Sequence, residues 1–337
     1  MKVLVLSYNI FAQNVAGGVY SKVMNYLTEA KKMEYHIKPF DMWSDKIEDY
    51  DIVHYFTLKP EFYDHMMLAK KMGKKVVISS IVSIREARKI KQSIFLGKYL
   101  KIHNNFDLQY RMLSIADAII TETQKEKKFI ISTYGIQNSK IQVIPNGVSV
   151  EIANGNPFIL KEKINIQKDC ILQVGRFDRN KNQLAVIRAM RDSGLPIVFV
   201  GGPDSGQLDY YKQCQYEAGA NCYFLGWVDH SSPLMASAYA AAKVVVLPSH
   251  HEIFGNAIFE GALTGANIVA TNALPIKEWG YQNHIISINP NDIQDIKEGI
   301  MKAYDAPRDV EFSQHIQECY SFKTIVNEHI TIYRSLL

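Results

Sequence analysis

Cysteine is scarce in this chain, with four among 337 residues (Cys170, Cys214, Cys222 and Cys319) and no two at CxxC spacing. That excludes a zinc ribbon or a dithiol redox motif, and the cysteines read as reduced thiols of a cytoplasmic protein. Long apolar runs are missing too. No stretch approaches the roughly 18 residues needed to cross a bilayer. The opening Met1-Lys2-Val3-Leu4-Val5-Leu6-Ser7-Tyr8 has too short an apolar part for a signal peptide and reads as a buried strand. There is no GxGxxG fingerprint and no Walker lysine. Paired glycines, Gly17-Gly18, stand between strand 2–7 and a helical stretch, where they allow backbone N–H groups to approach a phosphate or simply make a tight turn. No basic motif is interleaved with stacking aromatics, so nucleic acid is not an expected partner.

What remains is the composition of a globular protein, 47% hydrophobic and 21% charged. A chain of 337 residues exceeds one typical core and predicts two domains. Short β-branched runs alternate with helix-length segments, as parallel sheets require. Ten strands are expected, at 2–7, 51–56, 75–81, 117–121, 141–144, 171–174, 197–200, 222–225, 243–247 and 267–270. The clearest break is Asn154-Gly155-Asn156-Pro157. The expected fold is therefore α/β, two doubly wound Rossmann-like domains facing across a cleft, one over 1–155 and one over 156–318. Residues 1–160 hold 22 Lys/Arg against 15 Asp/Glu, and residues 161–337 hold 16 against 19. This asymmetry gives the halves different partners. Within 85–101, Arg85, Arg88, Lys89, Lys91, Lys98 and Lys101 surround Ile90, Ile94, Phe95 and Leu96. Such a basic amphipathic segment suits an anionic membrane surface or packs as an ordinary surface helix, and Gly97 weakens its helical reading.

Three clusters carry chemistry. Pro248-Ser249-His250-His251-Glu252-Ile253-Phe254-Gly255-Asn256-Ala257-Ile258-Phe259-Glu260 follows the buried run Val244–Leu247 and leads into a helix. Glu252 falls at a strand's carboxyl end, where open α/β sheets bind ligands, and Glu260 two turns into the helix. Both suit sugar or ribose hydroxyls, although spacing alone describes a solvated helix face equally well. The second cluster, Gly175-Arg176-Phe177-Asp178-Arg179-Asn180-Lys181, ends a strand with cations fit to hold a diphosphate or to lie on a solvated loop. The third is Asp49-Tyr50-Asp51 with His54. The Asp pair precedes its strand, the wrong end for a metal–nucleotide site, and no metal is expected. His54 points toward the expected cleft.

In order along the chain, these residues resemble the retaining, nucleotide-sugar-dependent glycosyltransferases of family four (group 1), which have the GT-B fold. The match runs through Gly17-Gly18, Asp51-Ile-Val-His54, Ala116-Asp117-Ala-Ile-Ile, Lys140-Ile-Gln-Val-Ile-Pro-Asn-Gly-Val148 and Gly175-Arg176 with Lys181. It continues through Phe224-Leu-Gly226, Pro248-Ser249, Glu252-x-Phe-Gly, Glu260 and Gly265–Thr271. The resemblance implies that Arg176 and Lys181 hold the donor diphosphate, Glu252 meets the donor sugar and Glu260 the ribose. It gives donor contacts to the backbone of Phe254, Gly255 and Asn256 and to Gly17 and Gly18, leaves His54 on the acceptor side, and sends a last helix, 319–337, back to the first domain. The implied reaction transfers a hexose-type sugar, with retention and without metal or other cofactor, from a UDP- or GDP-linked donor. The acceptor is a lipid-linked molecule or a saccharide, with a place in bacterial surface polysaccharide assembly, in the cytoplasm or peripheral on the inner membrane face. Two positions depart from the pattern. Ser79-Ser80-Ile81 replaces a histidine, and Ser149 replaces an aspartate. The departures leave two alternatives standing: a non-catalytic sugar-nucleotide-binding partner, and an epimerase or phosphorylase of the same fold.

Overall fold

The computed structural model describes residues 1–7, 18–82, 84, 86–100 and 104–337. The chain forms two compact units, Met1–Gly147 with Phe322–Leu337, and Val148–Ser321. Each is built on a six-stranded parallel sheet.

In the first unit the strands are β1 (Val3–Ser7), β2 (Ile37–Pro39), β3 (Ile52–Phe56), β4 (Lys75–Ser79), β5 (Ala118–Thr121) and β6 (Ile141–Val143), in spatial order β2-β1-β3-β4-β5-β6. The central strands are mostly apolar and buried throughout, as a parallel sheet covered on both faces demands. One face packs Val53, Tyr55, Ile78 and Ile119 against Met66, Met112 and Ile130. The other packs Val3, Val5 and Phe56 against Val23 and Tyr26 of the helix Gly18–Lys32 and Ile325, Val326, Ile330 and Tyr333 of the terminal helix Phe322–Leu336. That helix therefore completes the first unit's core. At the junction a side chain on Gly147 would run into the ring of Phe322, so the backbone approach there depends on glycine.

The second unit contains β7 (Cys170–Val174), β8 (Ile197–Val200), β9 (Cys222–Phe224), β10 (Ala242–Leu247), β11 (Asn267–Thr271) and β12 (Ile285–Ile288), in spatial order β12-β11-β10-β7-β8-β9. Its two faces are also covered, by Phe259, Tyr239 and Ile316 on one side and Val186, Ile187, Ile296 and Ile300 on the other. Two strands, β2 and β12, were not expected. Both are edge strands of three or four residues.

The segment expected to suit a membrane includes the helix Ala87–Leu100, while Arg85 and Lys101 lie outside the described residues. Gly97 does not break this helix. It packs against the Asp107 side chain of the helix Asn105–Ile115, where a Cβ would collide. Phe95, Tyr99 and Leu100 are exposed. Among the described residues no helix is long and apolar enough to cross a membrane.

Candidate functional site

The second sheet reverses direction between β7 and β10. From β7 the chain runs outward through β8 and β9, and from β10 outward through β11 and β12. The loops leaving these two central strands therefore diverge, and such a switch point is where doubly wound sheets open a ligand crevice. Both second-unit clusters lie there. Residues 175–182 join β7 to the helix Gln183–Met190, and residues 248–255 join β10 to the helix Asn256–Leu263.

Amide side chains hold the two loops in place. The Asn180 carbonyl accepts from the His250 N–H at 2.8 Å, its side-chain oxygen accepts from the His251 N–H at 3.0 Å, and its amide donates to the His251 carbonyl at 3.0 Å. Asn182, in the left-handed region at φ 58°, donates to the carbonyls of Pro248 (3.3 Å) and Pro290 (2.7 Å). Gln173 and Gln183, both buried, donate to the carbonyls of Lys181 and Arg176 at 2.8 Å. The Asp178 carboxylate accepts from the Lys181 N–H at 2.8 Å. Gly255 then starts the helix at φ 79°, a conformation closed to most side chains. The Phe254 ring stacks in the core on Phe259, 4.4 Å between centroids, so only its backbone faces the loop side.

Lys181 and Glu252 meet as a direct ion pair, Nζ to Oε2 at 2.7 Å, with both side chains mostly buried. Arg176 is half-exposed and turns to Asp204 at 3.0 Å and Asp178 at 3.8 Å. Glu260 is buried, and each of its oxygens has a partner, His230 Nε2 at 2.8 Å and the Tyr239 hydroxyl at 2.5 Å. Burial opposes ionisation of Glu260, but its hydrogen bond and charge interaction with His230 prevail and hold its pKa below the usual value. The same hydrogen bond raises the pKa of His230, and burial raises that of Tyr239. The site thus offers two cations, a polar loop, a helix N-terminus that favours anions, and two carboxylates able to accept hydroxyls. The backbone of Asn256 is the first residue of that helix.

The spacing showed Arg176, Lys181, Glu252 and Glu260, and the structure brings Lys181 and Glu252 together directly. It places Glu260 in a separate pocket of partners. Sequence reasoning gave no role to Asn180 and Asn182, read as part of a polar loop, to Gln173 in the expected strand 171–174, or to Gln183 where the helix begins. It also passed over His230 and Tyr239, which reach Glu260 from 30 and 21 residues away.

In the first unit Gly18 opens the helix Gly18–Lys32, and Gly17 lies outside the described residues. His54 needs a correction. It is fully buried in the middle of β3, its Nδ1 2.6 Å from the Tyr333 hydroxyl and its Nε2 2.9 Å from the Ser79 hydroxyl. Burial drives its pKa well below the ordinary histidine value. With both ring nitrogens engaged inside the core, His54 joins β3 to β4 and the terminal helix instead of facing out from the strand's end. Asp51 receives the Lys2 backbone N–H at 2.7 Å.

Two doubly wound parallel units, with polar loops at a switch point, define the GT-B class. Residues 15–152 match the model of glycosyltransferase family 4, and residues 158–318 match the model of group 1 glycosyl transferases. The chain belongs to this glycosyltransferase family. It is 26% identical over 176 residues to the D-inositol 3-phosphate glycosyltransferase of Kribbella flavida, an alignment covering 48% of this chain and 41% of that protein. It is 26% identical over 251 residues to an uncharacterized 41.2 kDa protein in the cps region of Klebsiella pneumoniae, covering 69% and 63%. The chain thus spans about half the length of these relatives. The fold is similar to that of Anabaena HepE in complex with UDP, with TM-score 0.77, 16% identity and all of both chains covered.

Proposed function

We propose that this chain is a retaining, metal-independent glycosyltransferase that moves a hexose-type sugar from a UDP- or GDP-linked donor to a lipid-linked or saccharide acceptor. The observation that carries the reading is the Lys181–Glu252 pair at the β7/β10 switch point. The UDP complex of HepE supports a nucleotide donor, and a UDP-glucose complex of the same protein supports a donor of that kind. The cps-region relative supports a role in surface polysaccharide assembly.

Cleaving the bond between sugar and nucleoside diphosphate builds negative charge on the leaving phosphate and positive character on the sugar. Arg176 and Lys181 supply the compensating cations, which is why no metal is invoked. Donor entry exchanges their present carboxylate partners for phosphate oxygens. Glu252, released from Lys181, accepts sugar hydroxyls, and Glu260 accepts from the ribose. The N–H groups at Gly255 and Asn256 receive phosphate at the helix start. The first unit takes the acceptor.

The test is turnover of a panel of UDP- and GDP-sugars by the wild type, Lys181→Ala and Glu252→Gln. Each variant is expected to lose about 10²–10³-fold in kcat, the scale of one preorganised electrostatic group, and the product anomer is expected to keep the donor's configuration. Unchanged turnover in both variants would defeat the site assignment, and an inverted anomer would defeat retention.

The exposed rings of Phe95 and Tyr99 with Leu100, beside Arg88, Lys89, Lys91 and Lys98, support peripheral contact with an anionic membrane face.

A further inference from the structure

At the carboxyl edge of the first sheet, one carboxylate grips both sides of a strained residue. Ile81 follows β4 with φ 44°, in the left-handed region, which a β-branched side chain enters only under constraint. Glu126 Oε1 accepts from the Ser80 hydroxyl and from the Val82 N–H, each at 2.7 Å. Its Oε2 accepts from the Glu122 N–H at 2.9 Å, which ties the turn after β5 into the same knot. The Ser80 N–H donates to the Ile120 carbonyl at 2.9 Å, so the neighbouring strand closes the clamp from the other side.

The arrangement is costly. Glu126 is fully buried, and burial together with the nearby Glu122 pushes its pKa up to about 7. Lys22 is bonded to Glu122 at 2.7 Å, and no ion pair to Glu126 is found among the described residues. A core built for stability alone favours an apolar residue here. Two further features mark this edge for a ligand. The hydroxyls of Ser7, ending β1, and Thr57, just after β3, are buried and make no hydrogen bond among the described residues. Thr57 also holds a left-handed backbone, φ 81°, and its N–H donates to the Ser79 carbonyl at 2.8 Å. Strand ends β1, β3 and β4 thus combine strain, unspent hydroxyls and a buried carboxylate. In this strand order β1 and β3 are themselves the switch point.

We infer that Glu126 is a positioning residue for transfer: it fixes Ser80-Ile81-Val82 so that the edge formed with Ser7 and Thr57 presents hydrogen-bonding groups to a hydroxyl-bearing acceptor. The inference rests on the glycosyltransferase reading. It goes beyond that reading by giving the acceptor step a residue that touches neither substrate.

The experiment measures Glu126→Ala and Glu126→Gln beside the wild type, using the UDP- or GDP-sugar that the wild type turns over and following amide exchange over 80–82. Glu126→Ala is expected to lower kcat at least tenfold, leave the donor KM within twofold, and raise exchange at Val82 without change around residues 175–182 and 248–255. Glu126→Gln keeps a carbonyl for Ser80 and Val82 and is expected to recover a large part of kcat. Wild-type kcat in folded Glu126→Ala would overturn the inference, as would unchanged exchange at Val82 or equal losses in Ala and Gln. A wild type that turns over no nucleotide sugar would instead overturn the transferase reading, and the Val82 exchange would still decide whether the clamp exists.

Discussion

Glu260 and His230 stabilise the fold only while both are charged. The carboxylate's pKa is lowered in the folded state, so its contribution is present above the unfolded value and is lost as pH falls through the folded one. The pKa of His230 is raised, so its contribution is complete below the ordinary histidine value and is lost as pH rises through the folded one. The pair is therefore strongest in mildly acidic solution. Comparing the melting temperatures of the wild type and His230→Ala should show the largest gap between the ordinary carboxylate and histidine ranges, narrowing as pH falls below the first and as it rises beyond the second. A gap constant with pH would contradict the pairing. At this scale the sequence showed acids and cations whose type matters wherever they stand, such as Arg176, Lys181 and Glu252. It did not show their partners. Nothing local in His230 or Tyr239 points to Glu260, because the fold alone brings them together. His54 failed for a related reason: a histidine on a strand faces either a ligand or the core, and alternation alone does not say which.

At the scale of elements, Gly255 joins the polar loop to its helix. Alanine there must adopt φ 79° and bring its Cβ to 2.8 Å from Leu247 Cδ2. The conformational part alone costs about 1–2 kcal/mol, so chemical denaturation should show Gly255→Ala destabilised by at least that much. Stability equal to the wild type would show that the turn is not constrained. The terminal helix makes its own prediction. Tyr333→Phe removes the hydroxyl between His54 and Tyr26, which lie 2.6 and 2.9 Å away, and leaves buried groups without partners. The expected loss is about 1–3 kcal/mol in the same measurement, and no loss would place the hydroxyl outside the core network. Ten of the twelve strands were legible because long buried β-branched runs have few other uses. The two that were missed, β2 with Pro39 and β12 after Asn283-His284, are short edge strands whose pairing comes from a neighbour rather than from their own pattern.

For the whole molecule, two units of one architecture carry different charge, with the basic excess in the first half of the chain. Membrane contact through the helix Ala87–Leu100 predicts flotation with vesicles containing phosphatidylglycerol and not with phosphatidylcholine alone. It also predicts weaker flotation for a Phe95→Ala/Tyr99→Ala variant, and equal recovery on both vesicle types would show that this helix does not bind an anionic surface. In the second unit, the proposed role of the β7/β10 loops is to hold a nucleoside-diphosphate sugar through Arg176 and Lys181. Titration calorimetry of UDP- and GDP-sugars into the wild type and an Arg176→Ala/Lys181→Ala variant tests it most directly. Saturable binding of at least one donor by the wild type, and at least tenfold weaker binding by the folded variant, are expected. Equal affinity in the two proteins, or no binding of any donor to the wild type, would contradict it.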